Sequence, residues 1–343
     1  MKAVQITAVG RPLQDREVQK PEIGPGEVLV RVLAAGICHS DAHYRAGTSP
    51  VGRLPITPGH EVAGVVEEIG EGVDGTLHTR RVCVHYLVTC GACRYCTSGQ
   101  EQFCPSGQMV GKHRDGGFAE FVLVPARNVV PVPDNVSDAE AAIMMCSTAT
   151  SFHAIRQARL MAGETVAIIG CGGLGMSAIQ IARNIGAGRI LAVDIDEKKL
   201  GMAAGFGAEP IDGRDRPADR IREATAGRGV DAAIELIGAK STFELAVEIL
   251  APKGRAALAG LSKAAIDVRP YPDLINREAE IIGVSDHLLT ELVIILDWAS
   301  RGKLNLTEVV SRSIPLRADT INAVLDDLER GTSSIRSVIA PTR

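Results

Sequence analysis

The apolar residues of this chain fall into two rhythms. Up to about residue 147 they come in short, valine-rich runs set off by glycine and proline, such as 28–34, 61–69 and 119–124. Runs of that length and composition predict a mostly β unit. From Glu164 the texture changes to apolar strands alternating with helical stretches: 165–170, a helix to about Ala187, 189–194, then a helix from near Glu197. The alternation continues through 230–236, a helix after Ser241, 254–260 and 280–284, as a parallel sheet covered by helices on both faces requires. Beyond about Ser285 come a helix rich in leucine and isoleucine, the segment 303–315, and an amphipathic helix over 319–329. The expected organisation is a β-rich unit over 1–147, a doubly wound α/β unit over 148–284, and a tail over 285–343 that returns to the first unit.

Composition narrows what such a chain does. Its 343 residues, 45% hydrophobic and 23% charged, suffice for two buried cores, and a net charge of -4 offers no general attraction for nucleic acid or anionic lipid. A small-molecule partner is expected instead. Residues 1–24 lack the basic, apolar and small-residue regions of a secretory signal, and no apolar run is long enough to cross a bilayer. A cytoplasmic protein is expected, so its eight cysteines are read as metal ligands or buried thiols rather than disulfides.

Gly170, Gly172, Gly173 and Gly175 stand between an apolar strand and a helix, where the chain must turn sharply and let its backbone approach a pyrophosphate. The next strand ends at Asp194, about 20 residues on, where a carboxylate accepts hydrogen bonds from the ribose hydroxyls of an adenosine. That carboxylate would repel a 2′-phosphate, which favours NAD over NADP; Lys198 and Lys199 nearby work in the opposite sense. As chain-turning residues alone, the glycines would need neither the strand-turn-helix context nor the acid.

Cys90, Cys93, Cys96 and Cys104 form a C-x2-C-x2-C-x7-C cluster among glycines. Their spacing matches neither helical nor strand burial, and four thiolates suit a closed tetrahedral structural zinc. Only Arg94 and Glu101 flank it as charges, so a nucleic-acid module is disfavoured.

Two further segments, Cys38-His39-Ser40-Asp41-Ala42-His43 and Gly59-His60-Glu61, place thiol, imidazole, hydroxyl and carboxyl groups in what read as two loops. Cys146 at the junction with the second unit completes a possible two-thiolate, one-imidazole zinc site with an open fourth position. Taken alone, His39 and His43 would be surface histidines and Asp41 a helix cap. Cys83 and Cys171 match no ligand position and read as buried small side chains, Met144 and Met145 as core.

With these motifs in the same order, the chain resembles the medium-chain zinc-dependent alcohol dehydrogenases from its N-terminal strands to Arg336. The resemblance implies a GroES-like catalytic domain and a Rossmann domain. It gives Cys38, His60 and Cys146 to a catalytic zinc, with Glu61 close behind and Asp41 orienting His60. Ser40 and His43 correspond to a proton relay, and His39, Thr150, Lys199 and Arg336 to the NAD site. The expected activity is reversible hydride transfer between a primary or secondary alcohol and NAD, with two zinc ions per chain. Cys146 favours a simple alcohol dehydrogenase over polyol and threonine dehydrogenases, which tend to carry glutamate there, and zinc-free quinone reductases lack the ligand set. A non-enzymatic zinc or redox sensor on the same fold is the reading from another class; it predicts bound zinc and NAD without turnover. Ser49 and His85 fall near positions that are bulky aromatics in ethanol-preferring relatives, which implies a wider pocket. The resemblance further implies a homotetramer, with a dimer second.

Overall fold

The computed structural model of the chain describes residues 1–331 and 335–341. They fall into two compact units, Met1–Ser147 with Leu288–Arg343, and Thr148–His287. The second division lies after His287, where the sequence reading had it after residue 284.

In the second unit six strands form one parallel sheet in the order Glu209–Asp212, Arg189–Asp194, Thr165–Ile169, Val230–Glu235, Leu250–Leu258, Glu280–Gly283. The first of these in sequence stands third in space, so the chain winds outward to one edge and then to the other, the Rossmann order. Such a sheet is covered on both faces, and Val166 to Ile169 are accordingly apolar and buried without alternation. Ile168, Ile169, Met176 and Ile179 have almost no exposed surface. Burying each side chain of this size contributes about 1.5–3 kcal/mol relative to leaving it in water.

The first unit is built round the long strand Glu27–Ile37. It pairs antiparallel with Glu61–Ile69, with Phe121–Pro125 and with the C-terminal strand Arg336–Ile339. Arg81–Val84 and Val129–Pro131 extend the sheet on one side and Val310–Ile314 on the other. Val28, Val30, Val32, Val62, Val66, Val82, Val84 and Phe118 fill its core. Three strand ends meet as a consequence of register. Gly36 pairs with Glu61 and Ile37 with Ser337, which brings Cys38, His60 and Arg336 to the same edge.

One local expectation is corrected. The segment after Cys38 is a helix, His39–Ala46, and not a loop. Cys38 stands at its N-cap, where its N–H donates to Asp41 Oδ2 at 2.9 Å, and Gly47 closes it in the left-handed conformation. Arg45, nearly buried, pins this helix to the helix Ala318–Glu329 by ion pairs to Asp326 at 2.8 Å and Glu329 at 2.9 Å. Among the described residues no helix is long and apolar enough to cross a membrane.

Candidate active site

The strand ends deliver Cys38, His60 and Glu61, and a π-helical turn over Met144–Thr148 delivers Cys146. One ligand atom from each of these four buried residues lies within 4.8 Å of the others. The Cys38 and Cys146 sulfurs are 3.9 Å apart. That is far beyond a disulfide and close to the separation of about 3.8 Å for two sulfurs on a tetrahedral zinc with bonds of about 2.3 Å. His60 Nδ1 faces Asp41 Oδ1 at 3.4 Å, an ion-pair distance without hydrogen-bond geometry, which leaves the second ring nitrogen for a metal. Glu61 holds the buried Arg336 guanidinium with one oxygen, while its Oε1 is buried without a hydrogen-bond partner. A donor set of two thiols and an imidazole, with an unsatisfied carboxyl oxygen beside it, fits zinc.

Charge at this cluster is set by contact and burial together. The Cys38 thiol is held well below the ordinary thiol value by Cys146, helped by His60 and Arg336, whereas Cys146 is pushed up by Cys38 and by burial. Burial depresses His60, but Asp41 and Cys38 outweigh it and leave the imidazole well above its usual value. Burial lifts Glu61 to about 7 against the pull of Arg336.

The four-cysteine lobe has the same sulfur spacing at the surface. Cys90 and Cys96 are 3.9 Å apart, Cys93 and Cys96 3.5 Å, and Cys104 and Cys90 3.6 Å. Backbone N–H groups of Ala92 and Cys93 donate to the Cys90 sulfur at 3.5 and 3.3 Å and bring its thiol down to about 6. N–H donors around a thiolate cage are what a closed zinc site needs. Cys83 and Cys171 stand buried outside both clusters, and burial raises each.

In the second unit Gly170 turns with φ +99, and the helix Gly173–Ile185 starts after Gly172. A Cβ on Gly175 would lie 1.9 Å from the Gly170 carbonyl oxygen, so only glycine lets helix and strand meet there, while Gly172 faces open space. Asp194 Oδ2 accepts the Cys171 N–H at 2.7 Å, which ties the acid at the end of the second strand to the glycine turn. Lys199 is half-buried on the helix Glu197–Gly205, and Thr150 half-buried on the helix Ala149–Gln157. The turn, the open face at Gly172 and the acid fit a dinucleotide.

The helix His39–Ala46 carries Ser40 and His43 three positions apart and so on one face. His39 is exposed, and its ring lies 4.8 Å from that of His43. His43 Nδ1 shares a hydrogen bond with Thr48 Oγ1 at 3.2 Å, and burial and His39 hold its pKa below the usual value. Ser49 follows, with its N–H on the His43 carbonyl at 3.3 Å. The aromatic residue beside the cluster is Tyr86, whose ring meets His60 edge-on at 5.3 Å, with Tyr44 on the same imidazole at 6.3 Å. His85, the expected pocket residue, is buried next to Tyr86. Both lie in the link between the strands Arg81–Val84 and Leu87–Val88, with ring centroids 6.0 Å apart.

A Rossmann sheet with its glycine turn, joined to a β unit that gathers buried thiols, imidazole and carboxyl, defines a metal-dependent dinucleotide dehydrogenase. Residues 24–134 match the alcohol dehydrogenase GroES-like domain and residues 173–287 the zinc-binding dehydrogenase domain. The chain is 38% identical to an alcohol dehydrogenase of Geobacillus stearothermophilus, over 99% of each chain. It is 33% identical to an NAD-dependent alcohol dehydrogenase of Sulfurisphaera tokodaii, over 99% of this chain and 100% of that one. The crystal structure of the alcohol dehydrogenase from Aeropyrum pernix superposes with a TM-score of 0.90 at 33% identity, covering 99% of this chain and 100% of that one. The chain belongs to the medium-chain zinc-dependent alcohol dehydrogenase family.

Proposed function

We propose that the chain catalyses reversible hydride transfer between a primary or secondary alcohol and NAD, giving an aldehyde or ketone. The observation that carries this is the buried meeting of Cys38, His60, Glu61 and Cys146 ligand atoms within 4.8 Å, in a chain that also carries the glycine turn and Asp194. Cys38, His60 and Cys146 would hold a catalytic zinc, and Cys90, Cys93, Cys96 and Cys104 a structural one. A zinc ion and a nicotinamide dinucleotide, when bound, supply the Lewis acidity that eases removal of an alcohol proton and the acceptor for the hydride.

The chain's own groups do the rest. Asp41 orients His60, and Arg336 balances the charge of Glu61 so that the carboxyl can stay beside the cluster. The Ser40 hydroxyl takes the alcohol proton as it gives up its own, and His43, neutral near pH 7, accepts the released proton and passes it toward solvent. Asp194 selects NAD by repelling a 2′-phosphate, and Thr150 and Lys199 of the same unit contribute to the cofactor site. The small Ser49 side chain supports alcohols larger than ethanol, and the Tyr86 ring offers them a flat wall. The working form is a homotetramer in the cytoplasm.

The test follows reduced-nicotinamide absorbance on zinc-loaded protein, with NAD and then NADP, against linear, branched, aromatic and polyol alcohols. Substrate-dependent reduction of NAD is expected, with efficiency rising beyond ethanol along a chain-length series. Zinc-loaded, NAD-binding protein that turns over no alcohol, aldehyde or ketone would favour the sensor reading.

A further inference from the structure

Glu235 closes the strand Val230–Glu235 and has no exposed surface. Its Oε1 accepts three hydrogen bonds, from the N–H groups of Ile237 at 3.0 Å and Gly238 at 2.9 Å and from the Thr242 hydroxyl at 2.6 Å. Thr242 in turn takes the Ala239 N–H at 3.2 Å at the start of the helix Lys240–Glu248. The second oxygen, Oε2, is buried and has no hydrogen-bond partner. A carboxyl group so placed costs stability at Oε2 and needs a compensating role.

Its surroundings supply one. A Cβ on Gly260 would lie 2.1 Å from the Gly238 nitrogen and 2.6 Å from Glu235 Oε2, so the loop after Leu250–Leu258 rests on this carboxyl group. The Glu235 carbonyl oxygen also accepts the Ala259 and Gly260 N–H groups at 2.9 and 3.2 Å. On the other side, a Cβ on Gly170 would meet the Ile237 side chain at 2.6 Å. One buried side chain therefore sets the turn 236–239 between the glycine turn and the next loop. Strands Thr165–Ile169 and Val230–Glu235 are the neighbours at which the winding reverses, the place where a dinucleotide crosses. Asp194 stands on the adenosine side of that crossing, and Glu235 on the side of the other nucleotide half.

We propose that Glu235 is a positioning residue for the nicotinamide half of NAD, holding the 236–239 turn at the height that half requires without touching the cofactor. The proposal rests on the reading that this unit binds NAD. In Glu235→Gln an amide nitrogen replaces one oxygen and lacks an acceptor beside Gly260 and the Gly238 N–H.

The test compares NADH with ADP-ribose, which lacks the nicotinamide, by titration of zinc-loaded wild type and variant. Glu235→Gln is expected to weaken NADH about tenfold and ADP-ribose less than about twofold, with kcat falling as well. Equal loss for both ligands, or loss for neither, overturns the proposal. If Glu235→Gln does not fold, Thr242→Val removes one donor only; the same split is expected at about threefold, and its absence is equally decisive. Wild type that binds neither ligand would overturn the NAD reading itself, and the proposal with it.

Discussion

The two cysteine clusters set the same sulfur atoms at the same spacing, yet they are built differently. Cys90 and Cys104 are separated by 14 positions, and the lobe between them stands largely in solvent, with backbone N–H groups as its second layer. Cys38 and Cys146 are separated by 108 positions and are buried, and the second layer is charged: Asp41 behind His60, and Arg336 on Glu61. A cage of four thiolates closed by its own loop leaves no position for a substrate. A cage assembled by strand register, with two thiols, one imidazole and a carboxyl in reserve, leaves one open. The difference is the one that would separate the proposed structural zinc site from the proposed catalytic one.

Substitutions at the ligands themselves have the largest effects. Cys146→Ser is expected to lower kcat by about a thousandfold or more while the melting temperature moves little, as steady-state rates and calorimetry would show. Cys96→Ser should do the reverse, lowering the melting temperature by about 5–10 °C with turnover retained at low temperature. Equal loss of activity and stability in both would erase the distinction. Next come the groups proposed to move the proton. Ser40→Ala should keep both zinc ions yet slow alcohol oxidation about a hundredfold, and full activity across pH would remove Ser40 from the path.

His43 gives the pH dependence. Its pKa is lowered by burial and His39, so the neutral base is lost only as pH falls through a value below the ordinary 6.5. Oxidation should decline below that point on the acid side, and His43→Gln should flatten this limb of the profile. The smallest expected effect distinguishes two neighbours in the link between strands Arg81–Val84 and Leu87–Val88. Tyr86→Ala should raise KM for bulky alcohols several-fold and His85→Ala by less; the reverse order would make His85 the stronger pocket residue.

How much of this was legible follows from the range of each feature. The four-cysteine lobe and the glycine turn lie within single segments, so spacing alone identified them. The link between Cys38 and Cys146 depends on tertiary assembly; their donor types allowed it as one possibility, and the family resemblance assigned it. The helix His39–Ala46 was read as a loop because its polar residues hide any apolar period; Asp41, three positions beyond Cys38, was the sign of an N-terminal cap. Tyr86 belongs to no motif, and its place against the His60 ring comes from the folded sheet. The edge strand Glu209–Asp212 buries only Ile211, so hydropathy did not mark it. Glu235 carried no sequence signal beyond an acid at a strand end followed by Gly238; its significance lies in loops brought together by the sheet order.

The most direct test of the divided roles is zinc content per chain, measured by metal analysis on the same samples of wild type and His60→Ala that are assayed for NAD reduction. Two zinc ions with turnover in the wild type, and one without turnover in His60→Ala, are predicted. Retention of both zinc ions and of full activity in His60→Ala would contradict the assignment of the buried cluster as the catalytic metal centre.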